Sequence, residues 1–246
     1  LYGTFHLLCS KQADFSDKMT MAFSNTEQLV MELDFSDRSV MRKVQKNAVF
    51  KDGTTAEDYL NDEEYKAFRS FFKDSMQVPF RRVKQFKPVF LSGVLWPHYL
   101  DCKPVSMEKL LTNKAMRENK SVIGLETAQE QLGYMNSLPL NKQKKMIMEA
   151  IQKPVETRNM ADKMVEYYFN GNISGIKAAT DTFRSEGLAD FKDRLLEERN
   201  EKWISAISEI TSEAPSFIAV GAAHLAGKKG LIHLLRNEGY TVEAVH

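Results

Sequence analysis

One four-residue phrase, a glycine, two residues and a histidine, stands at both ends of this chain: Gly3-Thr4-Phe5-His6 in "LYGTFHLL" and Gly221-Ala222-Ala223-His224 in "SFIAVGAAHLAG". Each follows an apolar run of strand length and precedes a polar loop, so each histidine is expected at the exit of a buried strand. Behind the first, Phe15, Met19, Ala22 and Phe23 recur at helical spacing, "SNTE" ends the helix, and "QLVMELDF" reads as a further strand. Behind the second, "LAGKKG" reads as a loop, "LIHLLRNEG" as a helix closed by Gly239, and "YTVEAV" as a strand. Two β-α-β units thus bracket the protein. They predict an α/β fold, a mixed β-sheet flanked by helices, with the N- and C-terminal strands side by side.

Between the brackets the pattern is mostly helical. "TAED" at 55–58 resembles a capping box before one helix through "YLNDEEYKAFRSFFKDSM". Pro79, Pro88, Pro97 and Pro104 then cut the chain into short pieces, and the helix "SMEKLLTNKAMREN" leads into a strand at "KSVIGLET". From about 127 to 214 only amphipathic helices are expected, a long insertion forming a cap or wall over the sheet. No low-complexity linker interrupts residues 1–246, which read as a single domain. The 43% hydrophobic content over 246 residues suffices for its core.

Charge narrows the partners. With 34 basic and 33 acidic side chains, the net charge of +1 steers neither nucleic acid nor an anionic membrane. "RRVKQFK" and "KQKK" read as solvated faces, and no apolar stretch approaches the roughly 18 residues of a spanning helix. The sequence opens at Leu1 inside an apolar run, and an export signal could have preceded it. Cys9 and Cys102 have no metal-type spacing; they pair in an oxidising compartment and stay reduced in a cytosolic one, and the sequence leaves both open.

The residues that could carry chemistry sit at strand ends. Glu32, in "LVMELD", and Glu126, ending "VIGLE", are carboxylates in apolar strands, and burial without a partner costs several kcal/mol. Ligands bind outside the carboxyl ends of strands in open α/β sheets, so His6, His224, Glu32 and Glu126 are expected to face one crevice. Two imidazoles and two carboxylates suit Zn²⁺, Mn²⁺ or Co²⁺, with water completing the shell and a free carboxylate as general base. Each has a structural alternative: an arginine bridge for Glu32, a helix cap for Glu126. In "ERNEKW", Arg199 either stacks on Trp203 one turn away or turns with Asn200 into the crevice to hold a carboxylate or an oxyanion. Gln131 lines the same wall. Gly3 and Gly221 are expected to permit close backbone approach beside the histidines or an unusual φ. His98, His233 and His246 have no comparable context.

Taken in order, "YGTFHLL", "LVMELD", "DGTTAEDYLNDEEY", "FKPVFLSGVL", "SMEKLLTNKAMRENKSVIGLETAQEQL", "ERNEKW" and "VGAAHLAGKKGLIHLLRNEGYTV" resemble the TraB/GumN family, whose animal members include the Tiki metalloproteases. The family usually carries an aspartate where this chain has Glu108. The resemblance implies a fold shared more distantly with erythromycin esterases and haem-binding ChaN-like proteins. It implies a metal-dependent hydrolase acting on a peptide or protein, with His6 and His224 as metal ligands or acid/base groups and Glu32 and Glu126 as ligand or base. It also implies export to the periplasm, cell surface or exterior, with an N-terminal lipid anchor in some members. Two alternatives stand beside that reading: a non-catalytic haem- or metal-binding protein, and an ester hydrolase using a histidine as metal-free base.

Overall fold

The computed structural model describes residues 1–100, 102–182, 191 and 193–245. Its strands in chain order are β1 (Tyr2–Thr4), β2 (Leu7–Cys9), β3 (Gln28–Met31), β4 (Pro104–Ser106), β5 (Ser121–Gly124) and β6 (Ser216–Gly221). Four of them form one sheet in the order β1-β6-β3-β5, and every pairing in it is parallel. The first and last of these strands in the chain are therefore neighbours, as the bracketing units predict. β2 and β4 make a separate antiparallel pair, joined by a disulfide between Cys9 and Cys102. The pairing that the sequence left open is made.

Side chains alternate across the sheet with period two. Leu29 and Met31 of β3 and Phe217 and Ala219 of β6 face α1 (Asp17–Ser24), through Met19 and Phe23, together with Leu111 and Ala115. Val30, Ile218 and Val220 face the other way, onto Trp203, Ile204, Ile207, Leu231 and Leu235. A parallel sheet covered on both faces needs near-continuous apolar strands, and "QLVM" and "FIAV" supply them.

The remaining helices are α2 (Arg38–Asn47), α3 (Ala56–Tyr59), α4 (Asp62–Ser70), α5 (Pro88–Tyr99), α6 (Met107–Arg117), α7 (Ala128–Asn136), α8 (Leu140–Gln152), α9 (Pro154–Phe169), α10 (Ile173–Thr182), α11 (Glu198–Glu213) and α12 (Leu231–Asn237). A second apolar core lies among them, built on Phe68, Phe72, Leu91, Leu95, Tyr99, Ile147 and Ile151. Gly239 closes α12 at φ +91°, where a β-carbon would be strained.

Three expectations are corrected. Residues 241–245 form no strand, so the C-terminal unit ends at its helix. The helix expected from Tyr59 is two: the Thr55–Asp58 capping box starts α3, then Asn61 and Glu64 form a second box that restarts the chain as α4. The segment after His6 is not a plain loop but β2, which leaves His6 between two short strands.

Candidate active site

The four sheet strands end nearly level, with Thr4 opposite Gly221 and Met31 opposite both Ala219 and Gly124. The chain leaving each strand delivers one polar side chain, in the spatial order His6, His224, Glu32, Glu126. A cavity of about 320 Å³ opens beside them, lined by His6, Glu32, Glu108, Arg199 and His224 among others.

His224 is 3% exposed. Its Nδ1 lies 2.6 Å from Asn200 Oδ1, while Asn200 Nδ2 donates to the carbonyls of His224 and Lys229 at 3.1 and 2.8 Å. The amide oxygen is therefore the acceptor, the imidazole donates through Nδ1, and Nε2 carries the lone pair. Nε2 lies 3.8 Å from Glu32 Oε1. Burial holds the ring neutral and lowers its pKa to about 3, with the Arg199 charge acting in the same sense against the opposing pull of Glu32. Trp203 packs on it at 4.6 Å between ring centroids.

His6 is the opposite case, its side chain 72% exposed and its Nδ1 2.7 Å from Glu108 Oε1. Desolvation lowers its pKa, but the hydrogen bond and charge of Glu108 and the charge of Glu32 outweigh that and raise it to about 9. Glu108 is itself buried in the first turn of α6, taking Thr4 Oγ1 on Oε1 at 3.2 Å and Ser106 Oγ on Oε2 at 2.8 Å. No strand-end pattern pointed to this carboxylate as the partner of His6. An acid just after a capping serine looks like ordinary helix capping, and Ser106 does cap α6.

Arg199 binds the two strand-end carboxylates together. Its Nε donates to both oxygens of Glu126 at 3.1 Å, Nη2 to Glu32 Oε2 and Glu126 Oε1 at 2.6 Å each, and Nη1 to Leu195 O at 2.8 Å and His224 Nε2 at 3.3 Å. All five guanidinium hydrogens are spent inside the protein. Arg199 also lies 4.7 Å over the Trp203 ring, so stacking and orientation into the crevice, posed as alternatives by the sequence, both occur. Its expected grip on a substrate carboxylate or oxyanion is corrected: no donor remains for it. Burial raises Glu32, but the charge of Arg199, the nearby histidines and the Gly221 N–H at 2.9 Å win and hold it well below the usual carboxylate range. Glu126 is shifted upward by burial and by Glu32, despite Arg199.

Two further roles change with the geometry. Glu126 and Asn200 do not line the cavity. Glu126 sits behind Arg199, its oxygens committed to the guanidinium and to Gln131 Nε2, which donates at 3.0 Å and also reaches Glu32 Oε2 at 3.2 Å. Asn200 orients His224. Both hold neighbouring side chains in place, and neither faces the cavity. The two glycines act by close approach, not by φ, since neither has a positive φ. A β-carbon on Gly3 would stand 2.8 Å from Leu225 Cδ1; one on Gly221 would stand 3.2 Å from Glu32 Oε1, 3.6 Å from His224 Cδ2 and 3.9 Å from His6 Nε2.

Among the described residues no three His, Cys, Asp or Glu side chains are gathered closely enough to hold a metal ion as they stand. The donor chemistry nevertheless fits one over part of the set. His6 and His224 each have Nδ1 tied to an acceptor, as oriented metal-binding histidines have, which leaves Nε2 as the ligating nitrogen; on His224 an ion would have to displace the Arg199 Nη1 hydrogen. Among the described residues Glu32 Oε1 accepts only the Gly221 N–H. Glu126 does not fit, because Arg199 and Gln131 saturate it.

Parallel strands ending in a row of two histidines and two glutamates, tied by one buried arginine, define an α/β protein with a strand-end polar site. The chain belongs to the TraB/PrgY/gumN family, whose model matches residues 1–244. Among its relatives are a protein named Metalloprotease TIKI1 from Danio rerio, 22% identical over 99% of this chain and 60% of its own length, and one named Metalloprotease TIKI homolog from Nematostella vectensis, 21% identical over 99% of this chain and 64% of its own length. The chain thus spans less than two thirds of either relative. No solved structure matches it.

Proposed function

We propose that this protein is a metal-dependent hydrolase of peptide bonds, with His6, His224 and Glu32 as the groups that would hold a divalent ion, Mn²⁺, Co²⁺ or Zn²⁺. The observation that carries the reading is the anchoring of both imidazoles at Nδ1, by Glu108 and Asn200, with Glu32 Oε1, His6 Nε2 and the ring edge of His224 around the bare Cα of Gly221. An ion there supplies Lewis acidity and a water of lowered pKa. The protein keeps Glu32 ionised through Arg199 and His224 neutral through burial, the protonation states that ligation needs. The names of the animal relatives support the reaction class. The Cys9–Cys102 bond supports an exported location, because such bonds persist in oxidising compartments.

A second, metal-free reading draws on one observation. His6 and His224 have pKa values pushed apart, to about 9 and about 3, which is how a fold separates an acid from a neutral partner. There the His6–Glu108 pair holds a proton at neutral pH and delivers it from Nε2 to the leaving group. Assay of the full chain on a peptide library, before and after chelation and with each ion restored, separates the two. We expect cleavage to vanish with chelator and return with an ion. Chelator-insensitive hydrolysis lost in His6→Ala selects the second reading, and a Soret band with haemin without any turnover would refute both.

A further inference from the structure

The cavity is lined by two unlike sets of side chains. Beside the charged row the lining includes Met31 at the end of β3, Phe35 beyond it, Met135 on α7, and Leu195 and Leu196 in the turn that leads into α11. An acidic side chain seated against these apolar groups loses its water without gaining a partner among them. Arg199 has no free donor, the exposed His6 is paired with Glu108, and both Glu32 and Glu108 line the same space. We propose that this cavity is a side-chain pocket that admits one uncharged, apolar residue of a peptide substrate and disfavours acidic ones. At about 320 Å³ it sits at the small end of ligand pockets, room for a single large side chain and its backbone. Two unbranched methionines in the wall adapt to shape, so the pocket selects for apolarity rather than for one residue.

The reading as a peptidase supplies the word substrate, and the experiment separates the two claims. The full chain with Mn²⁺ is profiled on a peptide library, and binding of N-acetyl-leucine amide, N-acetyl-alanine amide and N-acetyl-aspartate amide to the metal-free protein is measured by NMR. We expect leucine, methionine or phenylalanine at one position beside the cut bond, favoured over alanine at least about tenfold, with aspartate and glutamate disfavoured. Met135→Lys, which sets a cation in the wall, should convert disfavour of acidic residues into acceptance, a gain that misfolding cannot mimic. If no peptide is cleaved but the leucine amide binds and Met135→Lys shifts binding to the aspartate amide, the pocket stands and the peptidase reading falls. Cleavage indifferent to this position, or equal binding or no binding of the three amides, overturns the pocket.

Discussion

Replacing Arg199 by methionine tests the keystone of the site. The guanidinium is 3% exposed and is the cation between Glu32 and Glu126, whose side chains are 11% and 6% exposed. Removing one partner of a buried ion pair costs about 3–5 kcal/mol, because a desolvated charge is left unpaired. The lost contact with Trp203 adds about 1–2 kcal/mol. Against a typical total stability of about 5–15 kcal/mol, Arg199→Met should fold but unfold at much lower urea. The cost has a specific cause and therefore a specific remedy. Adding Glu126→Gln removes one stranded charge and should return about 1–3 kcal/mol. Arg199→Lys should recover less than the parent, since a three-donor point charge cannot span both carboxylates. Without the arginine both carboxylates titrate higher in the folded state. Arg199→Met should then lose stability relative to the parent as pH rises from 5 to 8. Urea titrations of the four proteins at both pH values are the assay. A loss below about 1 kcal/mol for Arg199→Met, or no recovery from the second substitution, would refute the reasoning.

The buried neutral histidine makes stability fall in mild acid. The folded pKa of His224 is depressed to about 3 from 6.5, so its contribution is full above 6.5 and is lost as pH falls toward 3. Between pH 7.5 and 5.0 that amounts to about 2 kcal/mol, read as the difference in urea stability between the parent and His224→Asn, whose own pH dependence removes the other groups. Gly221→Ala should change stability by no more than about 1 kcal/mol yet weaken Mn²⁺ binding by titration calorimetry at least about tenfold, its methyl group standing against Glu32 Oε1, His6 Nε2 and the His224 ring. Unchanged affinity would remove the ligand set. Cys9 and Cys102 close a loop across 93 positions, so the paired serine variant should lose about 2–5 kcal/mol, and a smaller loss by calorimetry would mean the β2–β4 pair holds without the bond.

The strand-end positions of His6, Glu32, Glu126 and His224 were legible because a buried parallel strand is an apolar run and a polar residue closing one has few reasons to be there. The helix cap at Thr55 was local and equally open to reading, although the restart at Asn61 was hidden inside a continuous amphipathic pattern. Where those ends meet was a matter of topology. Only the order β1-β6-β3-β5 sets the four groups in a row, and only tertiary contact reveals that Arg199 spends every hydrogen on two of them, that Glu126 and Asn200 stand behind the cavity, and that Glu108, 102 positions away, steadies His6. Local sequence encodes which side chains leave the strands, because that depends on periodicity and burial. Partnership among buried charges depends on who is near in space, which pairing across the whole chain decides.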